Sequence, residues 1–240
     1  MWCLGLAEEE RVSKGDFVLV DYTGRVKETG EVFETTVEEV AKEAGIHSEG
    51  RRYGPRLIIV GEGWVLKGLD EGLEGLKVGE KTVIEVPPEK GFGPRNPDDV
   101  KTIPYRVLRS RGIVPRIGMK IEVDGREAVV RAVGAGRVRV DFNPPLAGRT
   151  LVYEVVVREK VEGDAEKIKA LIHRRIPVDP EAFEVSVEDG EAVIKVPREA
   201  MYLEGIQVAK RGIASDVFRY VPNVTKVRFV EEFQKEEKKT

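Results

Sequence analysis

Between Leu66 and Leu76 the chain places leucine at 66, 69, 73 and 76 and glycine at 68, 72 and 75. Leucines three or four residues apart form one apolar stripe on a helix, and the interleaved glycines leave a second face nearly bare. A bare face lets another surface approach closely. Upstream, Leu57-Ile58-Ile59-Val60 has the β-branched content of a buried strand and is broken by Gly61-Glu62-Gly63-Trp64. Downstream, Thr82-Val83-Ile84-Glu85-Val86 is a further strand, closed by Pro87-Pro88.

The rest of the chain alternates in the same way. Phe17, Leu19, Tyr22 and Val26 fall at near-strand spacing before a turn at Gly30, which predicts a hairpin. Thr36 is expected to cap a short helix over 37–44, with Gly45 at its C-terminal end. Asp98 to Lys101 reads as a link. Three short strands follow over 118–124, 127–133 and 137–142, turning at Asp124-Gly125 and Gly134-Ala135-Gly136. Asn143-Pro144-Pro145 closes this excursion, and Thr150 to Val157 is again a strong strand that returns to the earlier core. Composition shifts at Val161-Glu162-Gly163. Beyond it the pattern predicts a helix over 165–175 capped by Asp164, a hairpin around Glu188-Asp189-Gly190, another helical stretch and a strand over 225–230.

At 240 residues and 41% hydrophobic content the chain can build two or three cored domains. Its 43 acidic and 40 basic residues leave a net charge of −3, so no global field draws it to nucleic acid or an anionic membrane. Cys3 is the only cysteine, which excludes an internal disulfide and a multi-thiolate zinc site and favours a reducing, cytoplasmic setting. The apolar start, Met1 to Ala7, is shorter than a signal-peptide core, and no run approaches the ~18 apolar residues of a membrane span. His47 and His173 are lone imidazoles far apart in sequence, so no metal or other cofactor is expected. Arg109-Ser110-Arg111 and Lys238-Lys239 read as solvated clusters, and Gly61-Glu62-Gly63 lacks the lysine of a phosphate loop. The 35% charged content with one Cys and three Met leans towards a thermophile.

The run Gly68-Leu69-Asp70-Glu71-Gly72-Leu73-Glu74-Gly75-Leu76-Lys77-Val78-Gly79-Glu80-Lys81, ending in Pro87-Pro88-Glu89-Lys90-Gly91-Phe92-Gly93, resembles the central signature of the FKBP isomerases. Val18 to Gly24 and Gly30 to Thr35 are similar to that family's first strands, and Leu146 to Val155 to its last, delayed by an insertion. That insertion resembles the insert-in-flap domain of SlyD and of the long archaeal members, and the C-terminal extension is similar to that of the long members. The isomerase-plus-insert resemblance covers about Val12 to Val161. It implies an α+β fold: an FKBP antiparallel sheet wrapped on a short helix over 12–99 and 143–161, a small β-rich insert over 100–142, and a C-terminal α+β domain over 162–240.

The implied activity is rotation about Xaa-Pro bonds of unfolded or partly folded polypeptides. Twisting an amide costs ~18–20 kcal/mol because conjugation is lost. No bond breaks, so a dry apolar pocket with few, well-aimed hydrogen bonds suffices, without nucleophile or cofactor. By motif position the resemblance assigns that pocket to Tyr22, Phe33, Glu34, Val65, Leu66, Leu69, Phe92 and Tyr153. Leu69 is the expected floor, smaller than the tryptophan common in small members and so expected to widen the pocket, and Leu66 is expected to act through its backbone N–H. Glu34 stands where aspartate is common, and Phe92 lacks the hydroxyl of the usual tyrosine. These departures support a second reading, a holding chaperone on a weak or inactive isomerase core.

Ile103, Tyr105, Val107, Leu108, Ile113, Val114 and Met119 supply more apolar area than so small an insert is expected to bury, which marks them as a client-binding surface. In the C-terminal region Met201, Tyr202, Leu203, Ile206 and Val208 suggest a partner surface, with a homodimer the favoured expectation.

Overall fold

The computed structural model describes residues 10–233. Met1 to Ala7, Cys3 and the charged run Lys235 to Lys239 lie outside the described residues.

The central sheet has five strands. Its long strand β1 (Phe17–Val26) pairs along its whole length with β9 (Leu151–Val161) on one side. On the other side it pairs with β3 (Arg56–Ile59) and then β2 (Val32–Thr35), while β4 (Lys81–Val86) pairs with β9, all antiparallel. Helix α2 (Lys67–Leu73) lies on β4, and its glycines explain the closeness. A Cβ on Gly68 would sit 2.7 Å from Val86 Cγ1, and one on Gly72 2.6 Å from Ile84 Cγ2. Gly75 does not share that face. It lies beyond the helix end with φ +82°, a left-handed conformation that glycine adopts without strain.

Period-two alternation splits this sheet between two cores. Val18, Val20 and Tyr22 of β1, Ile58 of β3, and Tyr153, Val155 and Val157 of β9 pack with Leu69 and Leu73 of α2. Phe17, Leu57 and Ile59 point to the other face, where they join the C-terminal region's core. A register shift at Leu19/Val20 changes the face parity of β9, so that Val161, opposite Phe17, reaches this second core as well.

The C-terminal region is therefore packed onto the sheet. Helices α4 (Asp164–Arg175) and α6 (Ile206–Tyr220) bury Ile168, Leu171 and Ile172, and Ile206, Ile213 and Val217, at helical spacing. Strands β10 (Glu184–Glu188), β11 (Glu191–Lys195) and β12 (Lys226–Val230) form a three-stranded sheet in which β10 and β11 are antiparallel and β11 and β12 parallel. The predicted hairpin forms, with Asp189 and Gly190 both at positive φ. Trp64 is covered by this region: its indole N–H donates to the Tyr220 hydroxyl at 3.2 Å, and Arg174 stacks 4.0 Å from its ring.

The insert is a four-stranded antiparallel sheet in the order β5 (Val100–Pro104), β8 (Arg137–Asp141), β7 (Arg126–Gly134), β6 (Lys120–Val123), with helix α3 (Tyr105–Ser110) after its first strand. The expected link at Asp98 to Lys101 thus runs into a paired edge strand, because Val100 pairs with Asp141. The neck is zipped by polar groups. Asn96 N–H donates to Asn143 Oδ1 at 2.8 Å, Asn143 Nδ2 donates to the Asn96 carbonyl at 2.9 Å, and Arg95 and Arg131 both pair with the buried Asp141.

Two expected caps do not form. Helix α1 (Glu38–Glu43) starts from Val37, and Thr36 Oγ1 instead accepts the Tyr22 N–H and donates to Asp21. Helix α4 starts from Gly163, and Asp164 instead accepts a bond from Asn223. In both cases a tertiary partner outcompetes the local backbone for the side-chain oxygen.

Candidate proline-binding site

The site grows from β1 and β9, whose registered pairing brings Tyr22 and Tyr153 together with ring centroids 5.8 Å apart, edge to face. Both rings are almost wholly buried. Phe33 on β2 stands edge-on to Tyr153 at 5.8 Å and to Phe92 at 6.2 Å. Such T-shaped contacts fix ring planes, because positive ring edges meet negative faces. Val65 and Leu66 pack half-buried against the same core. Leu69 lies beneath, with 1% of its surface exposed. It supports the rings from below and offers a ligand little area of its own. Phe92 is 40% exposed and forms the outer wall. All eight predicted residues thus come together, seven around one core or its rim and Glu34 through a polar bond.

Glu34 is held by a partner that the sequence did not reveal. The Tyr153 hydroxyl donates to its Oε1 at 2.8 Å. The Tyr22 hydroxyl in turn accepts from Arg56 Nη1 at 2.7 Å. Burial, and then the Glu34 charge, push the Tyr22 and Tyr153 phenols above the ordinary value of 10.0. The native state therefore keeps both phenols neutral where the unfolded chain ionises them. Their contribution to stability is complete below pH 10.0 and is lost as pH rises beyond it. Urea midpoints measured across this alkaline range are expected to fall, and Tyr153→Phe to flatten the fall; an unaltered slope would contradict a buried neutral Tyr153.

Two further residues shape the site. Gly24 sits in the interior of β1 opposite Tyr153, where a Cβ would lie 2.7 Å from Phe33 Cζ and 2.9 Å from Tyr153 Cε1. A glycine inside a strand pattern is the signal of such a close approach. Asp70, buried in α2, accepts the N–H groups of Gly61 and Gly63, each at 2.9 Å. This fixes the turn that delivers Trp64, Val65 and Leu66. Leu66 is the N-cap of α2, so its N–H lies outside the helical hydrogen-bond ladder.

The predicted client surface divides. Leu108 is fully buried with Ile121, Val123, Val130, Val138 and Val140, and Ile103, Tyr105 and Ile113 pack against this core. Leu108 belongs to the insert's interior because α3 turns it inward against the sheet. Val107 is half-buried. Val114 and Met119 are exposed, at 58% and 40%, together with Ile117 at 72%, which the sequence reading did not select. In the C-terminal region Ile206 is likewise buried and Met201 and Leu203 pack against the core, while Tyr202 and Val208 remain exposed. His47 stacks on Tyr53 with ring centroids 5.2 Å apart.

An antiparallel sheet closed over a short glycine-bearing helix, with Phe33, Phe92 and Tyr153 edge to face beside Val65 and Leu66, is the arrangement expected of a rotamase-class protein. The comparisons agree. Residues 8–109 match the family described as FKBP-type peptidyl-prolyl cis-trans isomerase, residues 101–146 the FKBP26 IF domain, and residues 164–234 the FKBP26 C-terminal domain. The chain is 37% identical over 155 residues to the short-type peptidyl-prolyl cis-trans isomerase of Methanocaldococcus jannaschii, covering 65% of this chain and 98% of that protein. It is 36% identical over 110 residues to the FKBP-type 16 kDa peptidyl-prolyl cis-trans isomerase of Escherichia coli, covering 44% and 73%. To the FKBP-type isomerase SlyD of Aeromonas hydrophila it is 29% identical over 160 residues, covering 66% and 68%. The chain belongs to the FKBP-type peptidyl-prolyl cis/trans isomerase family, with an IF insert and a C-terminal domain.

Proposed function

We propose that the chain isomerises Xaa-Pro bonds of unfolded or partly folded polypeptides in the cytoplasm, with its insert holding the client. The domains we assign are 12–99 with 143–161, 100–142, and 162–240. The observation that carries the isomerase reading is the Phe33–Phe92–Tyr153 ring cluster beside the Tyr153-held Glu34. The rings supply a surface that favours the less dipolar twisted amide over the planar one. On this reading the Leu66 N–H holds the substrate carbonyl while the proline ring rests among Phe33, Phe92, Val65 and Leu66. Glu34 keeps its charge directed at Tyr153, which spares the apolar recess an unpaired carboxylate. A protease-free assay of a short Xaa-Pro peptide tests this directly: isomerisation faster than the spontaneous rate is expected, and the spontaneous rate alone would leave only the holding role.

For the insert, the support is the exposed Val114, Ile117 and Met119 beside a core already filled by Leu108. Exposed apolar side chains with a flexible thioether among them suit clients of many sequences. For self-association, Tyr202 and Val208 are exposed at 74% and 76%. Light scattering at micromolar concentration is expected to give a dimer mass, and a strict monomer would end that part of the proposal. Among the described residues no helix is long and apolar enough to cross a membrane.

A further inference from the structure

A cleft of about 270 Å³ opens where residues 51–57 of the isomerase unit meet α4, lined by Arg51, Arg52, Tyr53, Arg56, His173 and Arg174. Four guanidinium groups gather here in a chain whose net charge is −3. Their partners are neutral or distant. Arg51 donates to the Thr35 carbonyl at 3.3 Å, Arg52 to the Ile176 carbonyl at 3.2 Å, and Arg56 to the Tyr22 hydroxyl at 2.7 Å. Among the described residues no carboxylate pairs with these three, and Arg174 has only Asp216 at 3.9 Å. Burial and the nearby Arg52 lower the pKa of His173, which disfavours its cationic form.

A second arginine-lined cleft shows what this one lacks. Between the insert and the body, Arg95, Arg131, Arg139 and Arg149 surround about 530 Å³. There the buried Asp141 pairs with Arg95 at 2.6 Å and Arg131 at 3.1 Å. That group of arginines carries its own anion. The cleft at α4 does not, although each guanidinium has five donors of which a single neutral bond uses one. Clustered guanidiniums on low-dielectric walls concentrate positive potential, and their planar forks match the oxygens of a phosphoryl group two at a time.

We propose that the cleft between residues 51–57 and α4 is a binding site for a phosphate-chain oxyanion. At about 30 Å³ per water, its volume equals that of about nine waters, room for two or three phosphoryl groups. The walls come from both the isomerase unit and the C-terminal region, so the ligand bridges them. Because Arg56 also holds the Tyr22 hydroxyl, the oxyanion reaches the aromatic site through one side chain. Binding itself does not depend on the isomerase reading.

Isothermal titration of the full chain at low salt, with sodium tripolyphosphate and separately with ATP, tests the site. One-to-one binding is expected, weakened about 10–100-fold by Arg51→Gln and by Arg52→Gln through loss of a charge-assisted bond. Arg149→Gln, at the other cleft, is expected to leave it unchanged. Equal affinity for the two probes identifies the phosphate chain as the whole ligand; tighter ATP binding identifies a nucleotide whose phosphates occupy the same cleft. If Arg52→Gln unfolds, since Arg52 also holds the end of α4, Arg51→Gln carries the test. No binding of either probe, or equal loss in Arg149→Gln, would overturn the proposal.

Discussion

Phe33→Ala is expected to lower kcat/KM on a short Xaa-Pro peptide at least about tenfold, equivalent to ~1.4 kcal/mol of transition-state stabilisation. Phe33 is the ring that joins the others, edge-on to Phe92 at 6.2 Å and to Tyr153 at 5.8 Å. Without it the recess loses a wall, and water reaches the amide that the site must keep dry. The side chain is half-buried, so the variant is expected to fold. Tyr153→Ala is expected to slow the reaction comparably but is the less clean test, because Tyr153 is fully buried and its truncation opens a core cavity worth ~3–5 kcal/mol. An unchanged rate in a proline-limited refolding assay of Phe33→Ala, with the native fold retained, would sink the pocket assignment.

Removing Lys101 to Asp141 is expected to separate two activities. Val100 and Asp141 are partners in the terminal rung of the β5–β8 pairing, and just below it the Phe142 N–H donates to the Asp99 carbonyl at 2.9 Å, so the cut ends, Val100 and Phe142, lie side by side and a short turn can close them. Below the cut, the reciprocal Asn96–Asn143 bonds remain to hold the neck. Activity on short peptides is expected to persist. Activity on refolding proteins is expected to drop at least about tenfold, because a client held beside the site reacts at a high effective concentration that the shortened chain no longer provides. Equal loss on peptide and protein substrates would refute the division of labour. A triple change of Val114, Ile117 and Met119 to serine gives the same comparison with the insert's core intact.

The signals that the sequence displayed well were local. Gly68 and Gly72 announced a close approach, and the contacts are there, against Val86 and Ile84. The Asp189-Gly190 turn specified its hairpin through backbone geometry alone. The eight candidate site residues were accessible because a motif fixes their order along the chain, and the fold then brings them together. Leu57-Ile58-Ile59-Val60 carries a longer-range signal as well. An apolar run without alternation marks a strand covered on both faces, and the second cover is the C-terminal region, which shares a core with Leu57 and Ile59.

By itself, then, the sequence determined most of the helices and strands, β5 and α3 of the insert excepted, and which side chains could line an inert apolar surface. Those properties follow from propensity, spacing and motif, each of which acts over a few residues. The tertiary structure alone decided which apolar residues of the insert and the C-terminal region face inward, since Leu108 and Ile206 differ from Val114 and Val208 only in the direction a helix or loop gives them. It also decided that Tyr153 holds Glu34 across 119 residues, Arg56 holds Tyr22, and four arginines meet at one cleft. Such polar pairings depend on where distant strands and helices dock, and no local pattern records that.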